Sequence, residues 1–523
     1  MTGRILKIYA TLAFSVLVAA CASSVQPAVT SPPPKATTTT VAPATNPDPP
    51  LDTVVKLPEQ NIVVPAEPPP DPITVSPGLD VEALVNGAPA GTAFIFEPGT
   101  YRGVSIKPKD AMSFVAQPGA IFNGSEIIDS FVQQGNVWVA TGITAQGRVH
   151  GECIAEAPMC SAPEDIYIDS VLSQQVEQAN AVGPGTFHID YESDTLTIGD
   201  DPTGRVVELS TTQFAFSGTA SDITIDGFVI EKFANPAQTG AIQSMDNRGL
   251  GRRWRIANNE VRLNHGVGIK VGAESLVEQN RVYENGQLGI GTGPNGFDNI
   301  IRDNEVYANT TIGFVPGYET GGMKLTTQAR LLVERNYVYA NAGPGIWVDI
   351  DNIDVTVADN IVEDNFGPGI FHEISYRAII RDNTVTGNGF GWTQWVYGAG
   401  ILVAHSRNVL VTGNTVKDNR LGVIGLQQDR GTGAYGAREL RNLLVSDNII
   451  VAKEGSSGIA EDIGNDAVFS DWNNRFELNT YYLTTDEYFL WMGKTLDFTD
   501  WNSLGNDEEG TIFNFDSFID GSP

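Results

Sequence analysis

The stretch 280-NRVYENGQLGI-290 decides the fold, because its pattern returns along the chain. Residues 259–269 read NEVRLNHGVGI and residues 336–346 read NYVYANAGPGI, with the same order of Asn, Val, Asn and Gly-Ile. The first Asn of each copy stands at 259, 280, 304, 336, 360, 383, 414 and 448, and the second at 264, 285, 309, 341, 365, 388 and 419. Most intervals between first Asn residues are 21 to 24, and three are longer. A fixed period of this size indicates stacked supersecondary units.

Each unit is made of short strands and turns, because its segments are β-branched and are interrupted by Gly and Asn every few residues. One turn of chain per repeat, with Val inside and Asn at the corners, describes a parallel β-helix. The pattern resembles the right-handed parallel β-helix proteins of the pectate-lyase-like superfamily, closely over about 220–460 and loosely over about 75–520. The resemblance implies an all-β solenoid. It leaves function open, because this fold hosts lyases, hydrolases, epimerases and adhesins.

The Asn columns are expected to be structural, since stacked Asn side chains satisfy buried turn amides from rung to rung.

Outside the repeats, the pattern changes in four places. We divide the chain into a signal peptide at 1–21, a Pro- and Thr-rich tether at 22–74, a parallel β-helix at 75–464 with an inserted β subdomain at 150–210, and an aromatic-rich C-terminal cap at 465–523.

The first 21 residues have the form of an export signal, with Arg4 and Lys7 before an apolar run that ends in small residues. Val18-Ala19-Ala20-Cys21 resembles the lipobox of bacterial lipoproteins, which implies that Cys21 carries lipid and anchors the chain to the cell envelope. The alternative is a plain signal peptide in which this Cys occurs by chance. Export permits disulfides, so we expect Cys153 and Cys160 to pair.

The composition limits the partners of the chain. With 32 basic and 63 acidic residues the formal charge is 32 − 63 = −31, which argues against nucleic acid and against strongly anionic partners. We expect a monomer that binds a polysaccharide or glycan and meets a membrane through its N-terminal lipid only. The Gly-rich segments GTGPNG and GTGAYG lack the strand and helix context of a phosphate loop.

Candidate chemistry lies in 343-GPGIWVDIDN-352 and 367-GPGIFHEISY-376, which align Asp349 with Glu373. Alternation along each strand sends Ile346 and Ile370 inward and both acids outward. Stacked strands lie about 4.8 Å apart, so the carboxyl groups should be about 5 Å apart. Two such acids divide their pKa values, which supplies an acid and a nucleophile, and the spacing is that of a retaining glycosidase.

Two long loops bracket these rungs, at 310–321 and 389–399, and should form the walls of a cleft. Aromatic residues that could bind a sugar lie in the walls and beside the acids, namely Tyr318, Trp392, Trp395, Tyr397, Trp347 and Phe371. The alternative for Trp347 and Phe371 is a stacked pair that only stabilises the sheet. No cluster of Arg or Lys is evident at this cleft.

Three further residues are candidates near the acids. Lys324 points outward one rung earlier and could be a catalytic or binding group, or an idle surface lysine. Asp351 could join the acids, and with Asp349 and Glu373 it would offer hard oxygen ligands for Ca²⁺. His372 is expected to point inward, as a core histidine more readily than a catalyst.

Three functions fit these observations. The first is a glycoside hydrolase that acts through Asp349 and Glu373 with Asp351 in reserve. The second is a Ca²⁺-dependent polysaccharide lyase or C5-epimerase in which Lys324 abstracts a proton. The third is a lipid-tethered surface protein that binds glycans or packs at the envelope without turnover. Because the paired-Asp and Gly-His-Gly motifs of polygalacturonases and the Asp-Pro-His-Asp motif of alginate epimerases are missing, the resemblance supplies no catalytic residue.

Overall fold

Three long β-sheets run along residues 71–520, the part of the chain that this computed structural model describes, and they are parallel except for one final antiparallel strand, Lys494–Leu496. Within that part, sheets 1 and 2 contain 13 strands each and sheet 3 contains 12. Successive turns of the coil stack strands of the same sheet in parallel, as Val261 pairs with Val282 and Val282 with Val306. These valines are fully buried. The fold is therefore the parallel β-helix that the repeats predict.

The strands of the three sheets are short. Sheet 1 consists of Ile73–Val75, Ala93–Phe96, Ser113–Ala116, Thr224–Asp226, Arg255–Ala257, Leu276–Glu278, Ile300–Arg302, Ala329–Glu334, Ile353–Ala358, Tyr376–Arg381, Arg407–Thr412, Arg441–Ser446 and Arg475–Glu477. Sheet 2 consists of Gly99–Arg102, Ala120–Asn123, Val229–Glu231, Glu260–Arg262, Arg281–Tyr283, Glu305–Tyr307, Tyr337–Tyr339, Ile361–Glu363, Thr384–Thr386, Thr415–Lys417, Ile449–Ala452, Thr480–Leu483 and Thr511–Asn514. Sheet 3 consists of Phe216–Ser217, Gly240–Gln243, Val267–Val271, Leu288–Thr292, Gly321–Thr326, Ile346–Asp349, Ile370–Glu373, Ala399–Ala404, Leu421–Gln427, Ser457–Glu461, Phe489–Trp491 and Lys494–Leu496.

The asparagines form hydrogen-bonded ladders at the corners of the coil. The side-chain oxygen of Asn280 accepts hydrogen bonds from the backbone and side-chain nitrogens of Asn259, at 3.0 Å each. The same pattern continues rung by rung to Asn479, which donates to Asp507 at the end of the ladder. Both Asn columns are buried, so the ladders satisfy polar groups that water cannot reach.

The inserted β subdomain has its own core. One sheet joins Val171–Leu172, Ile166–Ile168, Val207–Ser210 and Ser125–Ile127, and another joins Gln174–Gln175, Thr186–Asp190, Thr195–Ile198, Val137–Thr141 and Val132–Gln134. Apolar side chains such as Leu196, Ile198 and Leu209 are buried between them. The departure from the coil thus begins at Ser125, earlier than the predicted residue 150.

Both ends of the coil are covered. The helix Val81–Gly87, capped by the Asp80 carboxylate on the amide of Ala83, buries Val81 and Val85 over the first rungs. At the other end, strands of all three sheets follow residue 464, so the coil extends beyond its predicted boundary. The aromatic segment then closes the core with buried Tyr481, Phe489 and Trp501.

The remaining elements are short. They are the α-helices Phe498–Ser503 and Phe515–Asp520, the 3-10 helices Ala179–Ala181 and Asp466–Val468, and the hairpins Met245–Asp246 with Gly249–Leu250 and Thr432–Gly433 with Gly436–Ala437. No helix in 71–520 has the length and apolar character needed to cross a membrane. The signal segment 1–21, with Cys21, and most of the tether 22–74 lie outside the described residues.

The ladder predicts a specific loss of stability. Asn360 donates to Asn383, Val333 and Ala358 and accepts from Asn336. Asn360→Ala leaves these buried groups without partners, so we expect the free energy of unfolding to fall by about 3 kcal/mol, measured by urea denaturation. Thr384→Ala, at an exposed position of sheet 2, is the control and should change stability little. Equal effects of the two substitutions would contradict a structural role for the ladder.

Candidate functional site

Asp349 and Glu373 stand at the ends of two adjacent strands of sheet 3. Asp349 is the last residue of Ile346–Asp349, Glu373 is the last residue of Ile370–Glu373, and the two are direct partners in the parallel register. The rung before places Thr326 beside Asp349, and the rung after places Ala404 beside Glu373. The alignment is the one that the Asn spacing predicts.

The two acids lie on the outer face of sheet 3. Val348 and Ile370 pack in the interior of the coil, whereas Trp347, Phe371 and Leu402 form a separate apolar cluster on the other face. Alternation therefore directs Asp349 and Glu373 outward, but loops cover them, and only 5% and 6% of the two residues is exposed. The pair is outside the core and nevertheless shielded from water.

Each carboxylate has a cationic partner. Nζ of Lys324 lies 2.9 Å from Oδ2 of Asp349, and Nη1 of Arg430 donates to Oε1 of Glu373 at 2.7 Å. The indole nitrogen of Trp347 donates to the other oxygen of Glu373 at 3.2 Å, and Nζ of Lys324 lies 3.5 Å from the centre of the Trp347 ring. Two acids and two cations thus share one shielded site.

The two acids are not equivalent in their bonding. Burial, and next the neighbouring Asp349 carboxylate, raise the pKa of Glu373 to about 7, although Arg430 and Lys324 act in the opposite direction. Oδ1 of Asp349 is buried and has no hydrogen-bond partner among the described residues. Glu373 can therefore carry a proton near neutral pH while Asp349 presents an unengaged oxygen beside it.

Lys324 is a poor proton acceptor in this setting. Burial lowers the pKa of its ammonium group, but Asp349, Glu319 and Glu373 outweigh that effect and the pKa is raised overall. A general base must release its proton near the working pH, so this ion pair disfavours the role of Lys324 in proton abstraction.

The predicted aromatic residues divide into two groups. Trp347 and Phe371 stack with ring centres 5.4 Å apart and are 5% and 1% exposed under the loop 389–399, so they support the sheet and do not offer a face to a sugar. Trp392 packs edge-on against Trp347 and stacks on Tyr397, which contacts Phe371. Trp395 is 43% exposed on the same loop.

Tyr318 is held in the other long loop by the inserted subdomain. Its hydroxyl lies 3.3 Å from Nε2 of His150, and its backbone carbonyl accepts from Gln287. Cys153 and Cys160 form a disulfide, and Cys153 forms a β-bridge with Phe314 of the same loop. The subdomain thereby positions this wall, and a Cβ at Gly317 would lie 4.0 Å from Trp392 of the opposite wall.

Asp351 does not join the pair. Its carboxylate accepts a hydrogen bond from Arg438 at 3.1 Å, and no group of three or more His, Cys, Asp or Glu side chains in 71–520 is arranged to hold a metal ion. The Ca²⁺ set of Asp349, Asp351 and Glu373 is therefore not formed. His372 points into the core, where burial lowers its pKa to about 3 and keeps it neutral.

The sequence reading missed Arg430 and Arg438. Both lie on the segment 428–439 that follows the strand Leu421–Gln427, and they bind Glu373 and Asp351 respectively. The sequence showed no evident cluster of Arg or Lys at this cleft. The structure supplies these two arginines from a later rung. One signal pointed to them, since the interval from Asn414 to Asn448 is the longest between first Asn residues and implies an extra loop.

A family model and one solved structure support the fold. Residues 240–416 match the family described as the right handed beta helix region, so the coil is right-handed. The solved complex of XylC with xylose covers 84% of this chain and 83% of its own, at 16% identity and a TM-score of 0.62. The Azotobacter vinelandii mannuronan C-5 epimerase AlgE6 A-module covers 82% and 91%, at 14% identity and a TM-score of 0.46. No curated protein sequence matches the chain.

The raised pKa of Glu373 predicts how stability depends on pH. As pH rises, the folded state keeps a proton on Glu373 up to about pH 7, whereas the unfolded chain, with a pKa of 4.5 at this group, releases it at lower pH. The contribution of Glu373 to stability is therefore fully present below about pH 4.5 and is lost as pH rises through about 7. Glu373→Gln mimics the protonated form, so urea unfolding should show that the variant loses less stability than the wild type across this interval. Parallel curves for the two proteins would refute the shift.

Proposed function

We propose that the chain is a polysaccharide-active enzyme of the glycoside hydrolase class, with Glu373 as general acid and Asp349 as nucleophile. The observation that carries the proposal is the carboxylate pair, held in register on adjacent rungs, in which the pKa of Glu373 is raised. Adjacent strands lie about 4.8 Å apart, which matches the separation of about 5 Å in retaining enzymes and is too small for the water of an inverting enzyme.

The reaction follows from the two roles. Glu373 donates its proton to the glycosidic oxygen as the bond to the anomeric carbon breaks, and Oδ1 of Asp349 bonds to that carbon to form a glycosyl ester. Glu373, now ionised, takes a proton from water, and the water oxygen displaces Asp349. Lys324 holds the other oxygen of Asp349 and stabilises the carboxylate that leaves.

Access to the pair requires movement of its cover. Arg430 has 35% of its side chain exposed and lies on Glu373, whereas the two carboxylates are almost wholly covered. A substrate must displace Arg430 or the 389–399 loop to place a sugar ring over the acids. Closure afterwards would exclude water from the charged site.

The lyase and epimerase alternative has less support. It requires Lys324 to abstract a proton, but the ion pair with Asp349 raises the pKa of that lysine. It also requires a Ca²⁺ ligand set that the position of Asp351 does not provide.

Substitution of the acids tests the proposal. Asp349→Asn and Glu373→Gln should each lower kcat by at least about 10³-fold, because each removes one half of a two-step mechanism. Wild-type activity is screened first on a polysaccharide panel that begins with xylose-containing glycans, since XylC has this fold and was solved with xylose. Released reducing ends are the measurement, and Glu363→Gln, on sheet 2, is the control that should retain activity.

Three results separate the alternatives. Formation of 4,5-unsaturated ends would establish a lyase, and loss of activity in chelator would indicate a metal. Full activity in both acid variants would remove the site. Binding without turnover on every substrate would favour the glycan-binding surface protein. Because each substitution leaves a cation without its partner, thermal unfolding must show that both variants are folded.

We also propose that the enzyme is exported and anchored to the cell envelope by lipid on Cys21. The support is the Arg4 and Lys7 segment, the apolar run and the lipobox-like sequence that ends at Cys21. Cys21→Ser should move the protein from the detergent phase to the aqueous phase on Triton X-114 partitioning of expressing cells. Unchanged partitioning of this variant would contradict the anchor.

A further inference from the structure

A cleft of about 390 Å³ is lined by residues other than the carboxylate pair. Its walls come from three successive rungs and from the later segment 428–439, which we call the arginine hairpin. The lining includes Asn295, Phe297, Arg330, Asp351 and Tyr435. Asp351 lies two residues after Asp349, so the cleft adjoins the pair along the chain.

Tyr435 is the accessible aromatic face of the cleft. It is 49% exposed, and its ring meets Tyr376 edge-on at 5.3 Å, which leaves ring surface open. Phe297 is less available, because the guanidinium groups of Arg252 and Arg330 lie 5.0 and 5.9 Å from its ring centre. A ring that stacks in this cleft would therefore stack on Tyr435.

The charges of the cleft are already balanced. Arg330 binds both oxygens of Asp298, at 2.6 and 2.8 Å, and Arg438 donates to Oδ1 of Asp351. The other oxygen of Asp351 accepts no hydrogen bond from the residues described, 71–520, and Asp351 lines the cleft. An anionic ligand would meet this carboxylate with no unpaired arginine of the cleft to offset it, whereas hydroxyl groups could donate to it.

We infer that the cleft is a subsite for a neutral pyranose unit of the substrate. The sugar ring stacks on Tyr435, its hydroxyls donate to Asp351, and the amide of Asn295 contacts it from the opposite wall. The inference rests on the proposed function and makes it narrower, because it assigns a substrate whose unit at this position bears no carboxylate.

The arginine hairpin links the subsite to the pair. Arg430 binds Glu373, Arg438 binds Asp351, and Tyr435 lines the cleft, and all three belong to one short segment. A Cβ at Gly433 would collide with Oδ1 of Asp351, so the hairpin passes directly over this carboxylate. A sugar bound at Tyr435 would therefore contact the element that carries Arg430.

The test uses the full chain with Glu373→Gln, so that binding is measured without turnover. Titration calorimetry compares neutral xylo-, cello- and manno-oligosaccharides with oligogalacturonates and oligomannuronates. At least one neutral series should bind more tightly than either uronate series. Adding Tyr435→Ala should weaken that binding by about tenfold, and Tyr435→Phe should restore it. Tyr337→Ala is the control, a tyrosine of sheet 2 that is 38% exposed and should leave binding unchanged.

The preference of the cleft for an uncharged sugar is tested separately by Asp351→Asn. This substitution should improve the binding of oligouronates relative to neutral oligosaccharides. The inference is overturned if no neutral oligosaccharide binds, if uronates bind more tightly, or if Tyr435→Ala has no more effect than Tyr337→Ala. Neutral binding that depends on Tyr435, in a wild-type chain that releases no reducing ends, would support the subsite and reject only the hydrolase.

Discussion

Hydrogen bonds between stacked asparagines hold the rungs of the coil in register. In each ladder the amide of one Asn is satisfied by the Asn of the next rung, so a strand cannot slip without leaving buried donors unpaired. A slip by one residue would also turn every side chain of a strand to the opposite face. The register is what places Asp349 directly beside Glu373.

Burying Asp349 and Glu373 side by side costs free energy. Burial, and next the repulsion from Asp349, raise the pKa of Glu373, and Lys324 and Arg430 compensate only in part. The next rung fills the same columns with Leu402 and Ala404, which shows that the outer face of sheet 3 can be covered by apolar side chains. A purely structural role would be served as well by that solution, so the charged cluster favours chemistry at this position.

Local patterns in the sequence were sufficient to predict the fold and the pairing of Asp349 with Glu373. The Asn spacing predicts the coil, the inward valines and the alignment of Asp349 with Glu373, because each depends on chain neighbours one rung away. It did not predict the burial of Trp347 and Phe371, since that depends on how the 389–399 loop folds back. Arg430 was missed because it reaches Glu373 from 57 residues away, through a loop whose course no repeat determines.

The contrast between repeated rungs and variable loops explains where substrate specificity can reside in this fold. The ladders and the interior valines are common to every rung, and they leave little freedom to change one rung alone. Loops that leave the coil are free to differ in length, and here three of them, with the inserted subdomain, converge on the rungs that hold the acids. The arginine hairpin contributes both to the charge around Glu373 and to the border of the adjoining cleft. Under the proposed function, a change in this one loop would therefore alter substrate binding and the protonation of Glu373 together, while the register that creates the pair stayed fixed.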